Sequence, residues 1–197
     1  MSVSRETQDR LNIYLELLRK WSPKINLVSA ETLSTAAERH FADSLQIADL
    51  YRHEAGHWVD LGSGGGFPGA VVAIVKAEEC PDIKVILVES DQRKATFLRT
   101  VSRETGVCFN VVAKRIENLE PLEADVLSAR ALAPLDVLLG YSEQHLKKGG
   151  TALFAKGETW RYEVEDASKS WRFSLKSHKS RTNPNAAILE IGDLSRA

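Results

Sequence analysis

Five of the eight residues from Gly62 to Gly69 are glycine, and they follow directly on the short apolar stretch Trp58-Val59-Asp60-Leu61. Such a run is costly in chain entropy unless the backbone needs positive φ, or unless something must approach the main chain with no Cβ in the way. A strand that ends in a glycine turn and opens a helix, here predicted from Gly69 to Ala77, is the unit over which open α/β sheets bind ligands, beyond the carboxyl ends of their strands. A tight turn without a ligand is the alternative reading.

The rest of the chain alternates in the same manner. Predicted strands at Lys84–Glu89, Phe109–Ala113, Asp125–Ala129 and Thr151–Ala155 are separated by predicted helices at Gln92–Glu104 and Leu135–Leu146. A polar helix near Tyr162–Lys169 follows, then two strands, about Arg172–Ser177 and Ala187–Ile191, that read as an antiparallel pair. Strands separated by helix-length segments imply right-handed crossovers and a mostly parallel sheet, so the expectation is a doubly wound α/β fold. Two helical segments precede any strand. Leu11, Tyr14, Leu15, Leu18 and Trp21 form one apolar stripe on the first, which Pro23 is expected to end. The second is expected from about Glu31 to Leu50, with Leu33, Ala36, Ala37, His40, Phe41 and Leu45 on related faces. Residues 1–54 thus read as a helical cap on a core unit of residues 55–197.

Composition narrows the function classes. At 197 residues, with 43% apolar and 27% charged residues, the chain can bury a core, which excludes disorder, collagen and coiled coil. No run of about 18 apolar residues exists to span a bilayer, and the start lacks a signal-peptide pattern, so a cytoplasmic location is expected. Net charge is −1, but from Lys147 onward ten Lys and Arg face six Asp and Glu, against 16 and 21 before it. That later part could meet a polyanion, or simply be a solvated surface. Cys80 and Cys108 have no metal-ligand spacing, so neither a metal nor a disulfide is expected.

The glycine loop reads in two frames. Gly64, Gly66 and Gly69 satisfy G-x-G-x-x-G, the dinucleotide fingerprint, with Glu89 twenty residues beyond Gly69. Gly62, Gly64 and Gly66 satisfy G-x-G-x-G just after Asp60, a frame suited to a cofactor without pyrophosphate, such as S-adenosylmethionine. An acidic residue opposes a diphosphate and suits a sulfonium cation with its amino-acid end, and Pro68 removes an N–H that a phosphate would use. Glu89 fits a ribose-hydroxyl acceptor in either frame, or an exposed strand-end carboxylate. Ile116 and Glu117 follow the third strand, where an adenine ring would lie.

Several further pieces occur in a specific order. They are Trp21-x4-Asn26-Leu27-Val28, Arg39-His40-x2-Asp43-Ser44-Leu45, the loop from Asp60 to Gly69, Glu89-Ser90, Arg115-x-Glu117, Ala129-Arg130-Ala131 and Lys156-Gly157. In these the chain resembles the bacterial glucose-inhibited division protein B family, the 16S ribosomal RNA guanine-N7 methyltransferases. The likeness runs almost end to end and weakens after about Trp160. It implies a Rossmann-like class I methyltransferase fold with an antiparallel last strand, S-adenosylmethionine as cofactor, and a guanine in a decoding-centre loop of the small subunit as target. Carried across, it implies that Gly62 and Phe67 line the methionine and ribose side and that Gly64 binds the cofactor as well. Glu89 would hold the ribose, Ile116 and Glu117 would flank the adenine, and Arg130 would lie beside the cofactor at the mouth of the target pocket. Arg39, His40 and Lys156 would lie near the RNA, with 16S RNA or the small ribosomal subunit as partner and a monomer as the default state.

Guanine N7 carries an in-plane lone pair and no proton, so attack on a sulfonium methyl needs no general base, and the sequence shows no nucleophile–base pair. Catalysis would then rest on alignment, with no catalytic acid or base named. His40 is either an RNA contact or pocket organiser, or a packed structural residue. Arg39 either binds phosphate or pairs with Asp43. Lys156 either meets the RNA backbone or ends its strand in water. Trp21 and Trp58 read as core residues. Trp160 and Trp171 suit base stacking and packing equally. Two other readings stand beside the first: a nicotinamide-dependent oxidoreductase, and a non-catalytic ribosome-binding protein on the same fold.

Overall fold

The computed structural model of the chain describes residues 3–28, 36–51 and 55–197. Its first helix, α1 (Arg5–Ile25), starts at Ser4, whose hydroxyl accepts the Thr7 amide at 3.1 Å, and stops at Asn26 in the left-handed region. Leu11, Tyr14 and Leu18 are its buried stripe. Pro23 does not end the helix as expected. It sits in the last turn, where its missing N–H and ring disturb little further helix, and Asn26 closes the end by bonding the Ser22 carbonyl at 3.0 Å. Helix α2 (Ala36–Leu50) follows; its expected start near Glu31 and Leu33 lies outside the described residues, as does residue 54 at the expected edge of the cap.

Strands and helices then alternate. They are β1 (Ala55–Leu61), α3 (Gly69–Glu79), β2 (Asp82–Val88), α4 (Gln92–Thr105) and β3 (Asn110–Val112), then a short 3-10 turn at Ile116–Asn118. Next come β4 (Ala124–Arg130), α5 (Leu135–His145), β5 (Leu146–Lys156), α6 (Trp160–Ala167), β6 (Trp171–Lys179) and β7 (Ala187–Arg196). All seven strands form one sheet in the order β3-β2-β1-β4-β5-β7-β6. The five strands from β3 to β5 are parallel, and β7 pairs antiparallel with both β5 and β6. The expected doubly wound, mostly parallel sheet is therefore present, with most strands longer than their apolar runs suggested.

Alternation along β1 shows how the layers are filled. Trp58 packs into one buried cluster with residues of α1, α2, α3 and α4, while Val59 and Leu61 point into the other with α5 and α6. Both faces are covered, as a parallel sheet requires. Trp171 is buried beneath the Arg196 guanidinium, which lies 3.9 Å from its ring, so it serves packing. The consequence for function is positional. The carboxyl ends of β1, β2, β4 and β5 deliver Gly62, Glu89, Arg130 and Lys156 to one edge, at the switch point where the order reverses beside β1. Among the described residues, no helix is long and apolar enough to cross a membrane, and no cluster of His, Cys, Asp and Glu could hold a metal.

Candidate functional site

The glycine loop is held from within. The Ser63 amide donates to the Val88 carbonyl at 3.0 Å, the Gly66 amide to Ser63 at 2.7 Å and the Phe67 amide to Ser63 at 3.3 Å. The Gly64 amide donates to Glu89 Oε2 at 2.8 Å. Four loop amides are thus committed inside the protein, and Pro68 has none to give. Gly66 takes φ +95°, and a Cβ there would lie 2.4 Å from the Tyr14 hydroxyl, so only glycine fits. That hydroxyl, on α1, donates to the Gly65 carbonyl, and the Tyr14 ring stacks on Phe67 at 5.5 Å. Burial raises the Tyr14 pKa well above its ordinary value, with Asp60 adding to the rise, so the phenol stays a donor.

Asp60 lies beneath the loop and not in the cleft. It is fully buried, accepts from the Ser128 hydroxyl at 2.7 Å, and abuts Gly69, where a Cβ would lie 2.6 Å from its own Cβ. Trp58 Nε1 in turn donates to Ser128 at 2.9 Å, so the carboxyl ends a chain of bonds between β1 and β4. Burial pushes its pKa up to about 6, against the lowering effect of bonds from Ser128, Ser63 and Gly69 and of nearby Arg130. The expectation that Asp60 would meet the amino-acid end of a ligand is corrected on this ground: the residue braces the loop.

Above the loop is a cleft of about 570 Å³, within the range of small-molecule sites. It gathers Gly62, Gly64, Phe67, Glu89, Ile116, Glu117 and Arg130, which the sequence had placed at separate points along 69 residues. The fit to S-adenosylmethionine can be tested on these groups. Gly64 has φ +54°, and a Cβ there would meet nothing nearer than the Gly62 carbonyl at 3.8 Å, so the missing side chain leaves open space for a ligand. Glu89 accepts one amide on each oxygen, from Gly64 and from Asp91 at 2.8 Å, which leaves a lone pair on each for a diol. Ile116 is an apolar, nearly buried face. Glu117 accepts from the Tyr141 hydroxyl at 2.6 Å, which lowers its pKa, and keeps its second oxygen for an amino group. The residues present fit the cofactor.

At the other end of the cleft, β4 ends in Arg130 and the chain turns at Ala131, φ +50°. Arg130 Nη2 lies against the His40 imidazole, in contact with Nδ1 and 2.9 Å from Nε2. The imidazole packs 5.2 Å from the Phe67 ring. Burial and the Arg130 charge hold the His40 pKa down at about 4, against Asp43, which raises it. His40 is thus a neutral acceptor near pH 7. Burial lowers the Arg130 pKa in turn, while Asp43, Tyr14 and Asp60 raise it.

His40, Arg130 and Ala131 also line a second cavity of about 500 Å³, on the far side from the loop. Its other walls carry Asp43 of α2, Lys156 at the end of β5, and Ser180, Thr182 and Asn183 from the connection between β6 and β7. Arg39 lines it and is exposed; among the described residues it makes no ion pair, so the alternative pairing with Asp43 is absent. Lys156 is neither solvated nor free. Its Nζ donates to the Ala133 carbonyl at 2.9 Å and pairs with Glu163 at 2.5 Å, with 9% of the side chain exposed. Sequence reasoning missed Tyr14, Ser128, Tyr141, Ser180 and Thr182 because each acts through a partner far away in the chain. A hydroxyl beside a turn signal, Ser180-x-Thr182-Asn183-Pro184, is the only local sign any of them leaves.

A family model described as "rRNA small subunit methyltransferase G" matches residues 7–188. The chain is 52% identical to a protein of Ruegeria pomeroyi named ribosomal RNA small subunit methyltransferase G, over 100% of this chain and 96% of that one. A protein of the same name from Paracoccus denitrificans is also 52% identical, with 100% of both chains covered. In architecture it resembles a putative S-adenosyl-L-methionine-dependent methyltransferase of Methanococcus maripaludis, with a TM-score of 0.60, 12% identity, and 90% and 91% of the two chains covered.

Proposed function

Because the chain belongs to the rRNA small subunit methyltransferase G family, we propose that it methylates N7 of a guanine in a decoding-centre loop of 16S ribosomal RNA, with S-adenosylmethionine as methyl donor. The observation that carries this reading is the direction of the loop amides. Those of Ser63, Gly64, Gly66 and Phe67 are bonded to the protein itself, and the group facing the cleft beside them is the Glu89 carboxylate. A diphosphate needs free loop amides; the methyl donor has no phosphate, only a ribose diol, for which Glu89 is an acceptor, and a single carboxylate on its amino-acid end. This speaks against the nicotinamide reading.

When bound, the donor supplies an electrophilic methyl on a sulfonium sulfur. The protein's task is alignment, since guanine N7 is nucleophilic as it stands and has no proton to lose. Glu89 and the pair Ile116 and Glu117 hold the nucleoside end, and the loop at Gly62, Gly64 and Phe67 forms the floor. Arg130 stands between the cleft and the second cavity, fixed by neutral His40 and packed 5.8 Å from the Phe67 centroid. Its positive charge balances the negative backbone of an approaching RNA and orders the boundary between the two sites. Arg39 supplies a free charge to the same surface, whereas Lys156 organises the wall through Glu163 and so acts on RNA indirectly. We read residues 1–54 as the cap that braces the loop, and the protein as a cytoplasmic monomer.

The test is transfer of a tritiated methyl group from S-adenosylmethionine to small ribosomal subunits or 16S RNA, with the product mapped. Labelled N7-methylguanosine is expected. S-adenosylhomocysteine, and not NAD, is expected to raise Tm. Protection by NAD overturns the assignment in favour of the nicotinamide reading, and no label in subunits and free RNA alike overturns it in favour of the non-catalytic one.

A further inference from the structure

Asp43 belongs to the segment Arg39-His40-x2-Asp43 yet has no part in holding the methyl donor. It lies in the second cavity, half-buried, and its Oδ1 accepts hydroxyl bonds from Ser180 at 3.1 Å and Thr182 at 2.6 Å. Among the described residues, Oδ2 accepts no hydrogen bond and no Lys or Arg pairs with the carboxylate. The cavity thus holds a fixed carboxylate with one open oxygen. Its shared wall with the donor cleft is formed by Arg130, His40 and Ala131. Arg130 Nη2 is engaged by His40, while Nη1 is buried without an acceptor among the described residues.

A carboxylate that accepts and cannot donate discriminates among nucleobases. Guanine presents two adjacent donors, N1–H and the exocyclic N2–H2, on one edge, and its N7 lies on the opposite edge. Adenine presents a lone pair at N1 and no amino group at C2, so the same carboxylate would repel it. Of the remaining lining, Ala155, Ala187 and Ile188 are apolar and suit a flat ring, while the Glu163 carboxylate is taken up by Lys156 and the Leu135 amide. The volume of about 500 Å³ is ample for one base turned out of its strand.

We propose that the second cavity receives the base to be methylated, and that Asp43 selects guanine by accepting from its N1–H and N2–H2 edge. This rests on the methyl-transfer reading above. It makes the hydroxyls of Ser180 and Thr182 positioning groups that fix the carboxylate. Bound in this sense, the base turns its N7 edge away from Asp43.

The experiment compares small subunits reconstituted with 16S RNA carrying either guanosine or inosine at the methylated position. Inosine keeps N1–H and N7 and lacks only the amino group. The wild-type enzyme is expected to prefer guanosine by about tenfold to a hundredfold in kcat/KM, the range of a bond to a charged acceptor. In Asp43→Asn, where an amide N–H2 replaces the open oxygen, that preference is expected to collapse toward one. In the Ser180→Ala/Thr182→Val double variant activity falls, yet the preference stays, because the carboxylate remains. Equal use of the two substrates by the wild type overturns the proposal without needing any variant. A uniform loss in Asp43→Asn with the preference intact also overturns it, since Asp43 would then only brace the loop. No transfer to guanosine subunits at all would overturn the methyltransferase reading itself, a result distinct from either.

Discussion

The donor cleft takes its floor from one continuous stretch, residues 62–67, whereas the second cavity is assembled from α2, the ends of β4 and β5, and the connection between β6 and β7. The floor is held by bonds within the loop at Ser63, by the end of β2 at Val88 and Glu89, by Tyr14 of α1, and by glycines with no side chain to move. The cavity wall is held by side chains that meet across 137 and 139 residues of sequence, Asp43 with Ser180 and Thr182. The same α2 face adds Gln46, which donates to the Lys179 carbonyl at 2.7 Å and accepts from the Arg181 amide at 2.9 Å. One half is held mainly through the main chain of the loop and the strand end beside it; the other depends on side chains that dock α2 onto the connection between β6 and β7. Damage should therefore stay local to each half, with the boundary residues His40 and Arg130 the exception.

The largest effect is expected at Gly66. Alanine there must adopt φ +95° and push its Cβ into the Tyr14 hydroxyl and to 3.0 Å from Ala70. The left-handed backbone costs about 1–2 kcal/mol and overpacking about 1–3 more, so Gly66→Ala should lose about 3–4 kcal/mol, a fall of roughly 10 °C in Tm. Donor affinity should drop with it while RNA affinity holds. Equal loss of both would break the division into two halves.

Next in size is a pH effect at the boundary. The His40 pKa is about 4 in the folded protein and near its ordinary 6.5 when unfolded, so between these values the unfolded chain binds the extra proton. Stability from this group is complete above pH 6.5 and is lost as pH falls through 4. After discounting for solvent screening, about 2 kcal/mol is at stake. Asp60 works the other way over a similar window, because its raised pKa makes the folded state the better proton acceptor. His40→Asn isolates the first term. Denaturant unfolding at pH 7 and pH 4 should show the variant losing about 2 kcal/mol less than the wild type on acidification, and equal losses would contradict the assignment.

Tyr14→Phe should cost less, about 1–2 kcal/mol, because it leaves the Gly65 carbonyl without its partner and keeps the stacked ring. Its mark is a donor Kd raised several-fold, read by calorimetry, with RNA binding unchanged. Smallest is Thr182→Val, at roughly 0.5–1 kcal/mol, since Ser180 still holds Asp43. There the RNA KM should rise about threefold and donor Kd should not move, the mirror image of Tyr14→Phe.

That same division explains how much was legible in the sequence. The parallel sheet, its helices and the cleft residues Gly62, Gly64, Glu89, Ile116 and Glu117 are suggested by short-range signals, a strand, a glycine turn and the ends of strands, whereas Phe67 and Arg130 follow only from the family resemblance. Asp60 misled because its place in the sequence says nothing of depth; the side chain packs under Gly69 and bonds Ser128 on the neighbouring strand. The reading of Lys156 as a strand end in water failed likewise, since its partner Glu163 sits on the next helix. Pro23 marks a helix end only to within a turn. Ser180 and Thr182 could not be found, because an aspartate more than 130 residues earlier is what gives them meaning.

The sheet order carries a consequence for how the molecule comes together. Strand β7 follows β6 in the chain but lies between it and β5, so β6 has no other strand to pair with. The attachment of β6 to the sheet therefore runs entirely through β7. Whatever loosens β7 from β5 thus carries the Ser180 and Thr182 wall away with it, while the strands that hold the methyl donor keep their own pairings.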